Sequence, residues 1–164
     1  MTNRFFFLSL TLSLVLICGC GGVKKPEGFP SLIRPVTVKI HKGGTPLNDI
    51  TVVLFPQGSS SDLFIAGTTG PNGVATLRTE RGTYSQQGVP VGKYLVQLNE
   101  AVKVEIRDLS MDATPQESAA WEKEYNEKMD KARSFPRIYS DVAKSPLEMD
   151  VSSSPVSVEF DVSK

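Results

Sequence analysis

From residue 36 onward the chain alternates between apolar and polar positions. Val36, Val38 and Ile40 alternate with Thr37, Lys39 and His41, and Ile50, Val52 and Leu54 repeat the pattern until Pro56 stops it. A period of two with one apolar face marks a half-buried strand, because successive side chains point to opposite sides of the pleat. Further strands are expected at 63–69, 74–79, 93–98 and 147–151, and Val156, Val158, Phe160 and Val162 mark a last one. Turn residues separate these runs: Gly43-Gly44 with Pro46, the serines of 59–61, and Gly70-Pro71-Asn72-Gly73, where Asn-Gly accepts positive φ at low cost. Residues 81–87 read as a loop. Val102, Val104 and Ile106 go on alternating with Lys103, Glu105 and Arg107, so the strand starting at Lys93 is expected to be long or bulged.

One segment changes period. Thr114-Pro115-Gln116-Glu117 is a capping box with proline at the first helical position, which predicts a helix over 115–132. Trp121, Tyr125 and Met129 recur every four residues and form one narrow apolar stripe. Such a stripe is expected to cover one sheet; its alternative use is as a docking surface for a partner. Phe135-Pro136 ends the helix. The fold class is therefore mainly β, a β-sandwich with one α-helix inserted near the C-terminal third.

The first twenty residues follow a different logic. Arg4 precedes a run from Phe5 to Ile17 broken only by Ser9, Thr11 and Ser13. That length suits the apolar core of a secretory signal and falls short of the roughly 20 residues that span a bilayer. The run ends in Ile17-Cys18-Gly19-Cys20-Gly21, which resembles a bacterial lipobox: an aliphatic residue, a tolerant position, a small residue, then the acylated cysteine. Cys18 fits worse, because Ile17 would occupy the position that must be small. The resemblance implies a signal peptide over 1–19, lipidation with fatty acyl chains (such as palmitate) at Cys20, and a membrane anchor in the cell envelope. Gly21 rather than Asp after the cysteine points to the outer membrane where there are two. Residues 20–35, rich in Gly, Lys and Pro, read as a flexible tether, and 36–164 as the sandwich.

Composition narrows the chemistry. Lys plus Arg (18) equals Asp plus Glu (18), so no basic face marks a nucleic-acid binder. Both cysteines, Cys18 and Cys20, lie in the leader, which leaves the rest of the chain without thiols. His41 is the one histidine, and at a strand end it reads as a solvated or capping side chain rather than a metal ligand. No Gly-x-Ser-x-Gly elbow is present, and Asp108 and Asp112 lack calcium-loop spacing. No catalytic residue, cofactor or metal is expected.

Three segments in order resemble a carboxypeptidase regulatory-like domain of the transthyretin (prealbumin-like) type. They are Gly44-Thr45-Pro46-Leu47-Asn48-Asp49-Ile50-Thr51-Val52, Thr68-Thr69-Gly70-Pro71-Asn72-Gly73, and Val89-Pro90-Val91-Gly92-Lys93-Tyr94-Leu95-Val96. The resemblance implies a seven-stranded Greek-key sandwich with Tyr94 packed across its core, and a non-catalytic role in structure or binding. Two enzyme families share this fold class, intradiol dioxygenases and hydroxyisourate hydrolases. Both need several histidines, which this chain lacks. The expected partners are the membrane, through the lipid, and an envelope protein or glycan; a folded spacer in export or surface assembly is the alternative, with an enzyme of unknown type behind it.

Overall fold

The computed structural model describes residues 24–58, 62–152 and 155–163. In chain order the strands are β1 (Ile33–Arg34), β2 (Val36–Lys42), β3 (Thr45–Pro46), β4 (Ile50–Pro56), β5 (Phe64–Thr68), β6 (Val74–Thr76), β7 (Arg78–Arg81), β8 (Tyr84–Gln87), β9 (Val89–Pro90), β10 (Gly92–Glu100), β11 (Glu148–Val151) and β12 (Val156–Asp161). Helix α1 (Pro115–Ala132) and a 3-10 turn over Arg137–Ser140 lie between β10 and β11. The chain is mainly β with open sheets, consistent with a β-sandwich.

The larger sheet has the order β11-β10-β4-β5-β7-β8; the smaller runs β12-β2-β3, with β6 also paired to β2. All pairings are antiparallel except β12 with β2, which is parallel and sets Glu159 opposite Lys39. The inner face of the larger sheet contributes Ile50, Val52, Leu54, Ile65, Tyr94, Val96, Leu98, Met149 and Val151. Val36, Val38, Ile40, Ala75, Leu77 and Val162 meet them from the other side. Burial of these alternating positions drives assembly, since each fully buried aliphatic side chain contributes about 1.5–3 kcal/mol.

The run 74–81 changes sheets part-way. β6 pairs with β2 and β7 with β5. Between them Leu77 is fully buried; its N–H donates to Val36 C=O (3.1 Å) and its C=O accepts from Gly88 N–H (2.8 Å). One residue thus bonds toward both layers, which is how the backbone stays satisfied where a strand turns a corner. Tyr94 is buried, and its hydroxyl donates to Pro90 C=O at 2.7 Å; burial pushes the phenol up to about 12.

Three expectations need correction. First, 81–87 is not a loop: β7 and β8 form a hairpin pairing Arg81 with Tyr84 and Arg78 with Gln87. Second, β10 stops at Glu100, and 101–110 is extended chain outside both sheets, with Val102, Val104 and Ile106 half-buried. Third, the tether does not reach Pro35. Phe29 is buried and packs edge-on against Tyr84 (centroids 4.8 Å), Arg81 donates to Glu27 C=O at 2.7 Å, and β1 pairs with β9. The chain is therefore docked on the domain from about Glu27. The signal segment 1–19, Cys20 and the start of the tether lie outside the described residues.

Candidate functional site

Helix α1 begins as its capping box requires. Glu117 N–H donates to Thr114 Oγ1 (3.3 Å), and Thr114 N–H donates back to the Glu117 carboxylate (2.8 Å). The Thr114 backbone N–H first, then the Thr114 hydroxyl (2.8 Å to Oε2), hold the Glu117 carboxyl below its ordinary range. Glu124 and Lys128 form an i,i+4 pair at 3.1 Å.

The stripe is not spent on a sheet. No residue of α1 is buried. Trp121 and Tyr125 stack nearly parallel, 5.3 Å apart at 6°, and with Met129 they stay half-buried. Trp121 Nε1–H donates to Arg107 C=O (2.8 Å), and Lys128 donates to Glu105 C=O (3.1 Å). The helix therefore folds back along the extended segment 101–110, and the apolar residues Val102, Val104 and Ile106 that a longer strand would have used belong to that segment. Helix and segment together make an arm with Leu109 and Met111 exposed near its turn, Met111 completely.

The arm is rooted at one end of the sandwich. Glu100, the last residue of β10, accepts from Ser134 N–H (2.9 Å) and from the Ser134 hydroxyl. Lys42, the last residue of β2, donates to Ser134 C=O at 3.0 Å. Phe135 and Tyr139 then turn into the core cluster.

A cleft of about 650 Å³ lies beside this root, between β10 and the turn that follows the arm, lined by Gln97, Arg137, Ile138, Ser140, Asp141, Val142 and Lys144. Gln97 Nε2 donates to Ser140 C=O (2.6 Å) and closes its floor. Asp141 pairs with Lys144 at 3.2 Å, and that bond lowers its pKa. The cleft's volume falls in the range of small-ligand sites, but its walls are as polar as they are apolar and it is open, where such sites are usually apolar and enclosed. Nothing in the sequence marked Gln97, Arg137 or Lys144, because the cleft arises from the way residues 137–144 fold back over β10.

His41 has a structural task. Gly44 N–H donates to its Nδ1 (3.2 Å), so Nδ1 is an acceptor, and Nε2 faces Glu159 Oε1 at 3.1 Å. Glu159 also bonds Lys39 (2.7 Å). Asp161 accepts from the Ser163 hydroxyl, from Gly43 N–H (3.2 Å) and from Ser163 N–H (3.0 Å). These contacts close the 43–44 turn and pin the end of β12. Among the described residues, no group of three or more His, Cys, Asp or Glu side chains is placed to hold a metal ion, and no helix is long and apolar enough to cross a membrane.

The cluster gives a pH prediction. The Ser163 hydroxyl, more than any other partner, holds the Asp161 carboxyl below its ordinary value of 3.8, and Lys39 does the same for Glu159 below 4.5. A depressed folded pKa contributes stability above the unfolded value and loses it as pH falls through the folded one. Urea midpoints should therefore be flat above pH 5 and decline below about 4.5, and Asp161→Asn should reduce that decline. An unchanged acid slope in the variant would contradict this role.

No family model, no curated protein and no solved structure matches the chain.

Proposed function

We propose that this chain is a lipoprotein of the bacterial cell envelope, acylated at Cys20, whose sandwich is a non-catalytic binding module of the carboxypeptidase regulatory-like, transthyretin-like kind. The anchor rests on the lipobox residues Ile17-Cys18-Gly19-Cys20 behind an apolar run too short to span a bilayer. The finer fold reading rests on the three resembling segments, Gly44–Val52, Thr68–Gly73 and Val89–Val96.

The observation that carries a binding role is the arm. A helix that served only to cover the core would bury its apolar stripe. This one leaves Trp121, Tyr125 and Met129 half-exposed and carries exposed Leu109 and Met111. Aromatic and methionine side chains are enriched at recognition surfaces because they supply contact area at low entropy cost. The partner is an envelope protein or glycan.

The test is fractionation of host cells expressing the full-length chain or its Cys20→Ser variant. The native form should sediment with membranes and the variant should appear in the soluble envelope fraction. Equal fractionation of the two would overturn the anchor. A Trp121→Ala/Tyr125→Ala variant should stay in the membrane fraction and lose cross-links to its envelope partner. If its cross-links are unchanged, the arm is not the binding surface and the spacer reading takes its place.

A further inference from the structure

The two ends of the sandwich differ. β10 starts with Gly92 opposite Val151 and finishes with Glu100 opposite Ile50, where the arm is rooted. At a rise of about 3.4 Å per residue the two ends lie roughly 27 Å apart. The docked N-terminal segment lies at the Gly92 end, where β1 pairs with β9. The register that sets Ile33 opposite Pro90 continues to Leu32 opposite Val91 just beyond the ladder. Both side chains are exposed, at 46 % and 43 %. Leu32 and Val91 thus extend, as exposed aliphatics, a strand end that already carries half-buried Ile33 and Pro90. Lys24 and Lys25 are exposed, and Lys25 is held over the Phe29 ring and bonded to Pro30 C=O at 3.1 Å, two residues before Leu32.

The length of chain leading to this end limits what can cover it. From Cys20 to Phe29, the first buried residue, the chain covers nine residue steps, which span at most about 30 Å fully extended. With acyl chains on Cys20, Phe29 cannot move further than that from the bilayer surface, and Leu32, three residues on, lies at most about 10 Å beyond it.

We infer that the Leu32–Val91 end rests on the lipid surface, with these two side chains at the headgroup boundary and Lys24 and Lys25 beside anionic headgroups, so that the arm points away from the membrane. The inference rests on the lipoprotein reading. The contact need not be strong. The anchor already supplies the association, and the short tether gives the surface a high effective concentration at this end. Basic side chains near an anionic surface and partial burial of the aliphatic pair then decide orientation. A partner protein at this end would have to fit between the domain and a bilayer within reach of the tether.

The test uses the mature acylated protein, beginning at Cys20, in vesicles of phosphatidylethanolamine and phosphatidylglycerol, some with brominated acyl chains that quench a nearby fluorophore. Leu32→Cys and Met111→Cys each give one labelling site for a polarity-sensitive probe, because the acylated chain keeps no free thiol. The probe at 32 should shift to the blue and lose about half its emission in brominated vesicles, as expected for a group at the headgroup boundary. The probe at 111 should behave as in water. Protein that floats with vesicles while both probes report water, or with only the probe at 111 quenched, overturns the orientation and leaves the anchor standing. Protein that fails to float overturns both.

Discussion

Leu98→Ala should lower the free energy of unfolding by about 2–5 kcal/mol, the range for deleting a fully buried leucine side chain. Leu98 is completely buried on the inner face of β10, in register with Val52 of β4. At Leu98 β10 is paired with β4, while its pairing with β11 ends at Leu95; the ladder to β4 leaves the neighbours on that edge little freedom to close the cavity. Where packing is fixed the cost lies toward the upper end of the range. A domain of this size is stable by roughly 5–15 kcal/mol in total, so the variant should have a much lower urea midpoint with an unchanged slope. Met111→Ala on the arm, fully exposed, should change the midpoint hardly at all. If the two substitutions cost the same, the core does not run through β10.

The second large effect comes from backbone geometry. Gly73 closes the turn before β6 at φ +72°, and its N–H donates to Gly70 C=O at 2.8 Å. A Cβ there would lie 2.6 Å from Ile40 C=O and 2.9 Å from Pro46 Cβ. The left-handed conformation alone costs an alanine about 1–2 kcal/mol. The collision adds to it, because Ile40 C=O already accepts from Leu47 N–H (3.0 Å) and Ile40 N–H donates to Gly73 C=O (2.8 Å), which fixes both strands. Gly73→Ala should therefore cost about 2–4 kcal/mol in all. Gly44 separates the two contributions. It has φ +85° and nothing within 4 Å of its virtual Cβ, so Gly44→Ala should lose only the conformational part. Equal midpoints for the two variants in urea would mean that the close approach at Gly73 is relieved without cost.

What the sequence reveals follows from where its apolar residues are used. The strands of the core were readable because Val36, Val38 and Ile40, or Tyr94, Val96 and Leu98, each bury one face, and burial of one face enforces the period of two. The helix was readable to the residue at both ends, because Thr114 and Glu117 satisfy its first N–H groups locally. The β7–β8 hairpin was hidden. Its strands, Arg-Thr-Glu-Arg and Tyr-Ser-Gln-Gln, carry few apolar residues, and their pairing is fixed by Thr79 Oγ1–H bonding Gly88 C=O (2.7 Å) and by Phe29 docking on Tyr84. The segment 101–107 misled for the opposite reason. Its alternation is genuine and shows as alternating half-buried and exposed positions, but its backbone carbonyls at Glu105 and Arg107 bond to the helix instead of to a strand, and a period of two cannot distinguish the two. The cleft at Gln97 and Arg137 left no trace in the sequence, since it depends on how a loop of mixed composition lies over β10.

These features give the chain a direction. The N-terminal segment docks at the Gly92 end through Phe29 and β1, and the arm leaves from the Glu100 end. A binding module held by a lipid needs this polarity, since a recognition surface beside the anchor would be masked by the bilayer.

The mass of the N-terminal peptide from the native protein tests the lipoprotein reading most directly. Processing before Cys20 yields a peptide that begins at Cys20 and carries the added mass of several acyl chains. A peptide that retains residues 1–19, or one that begins at or near Cys20 with an unmodified thiol, would contradict the anchor and make this a chain without a lipid.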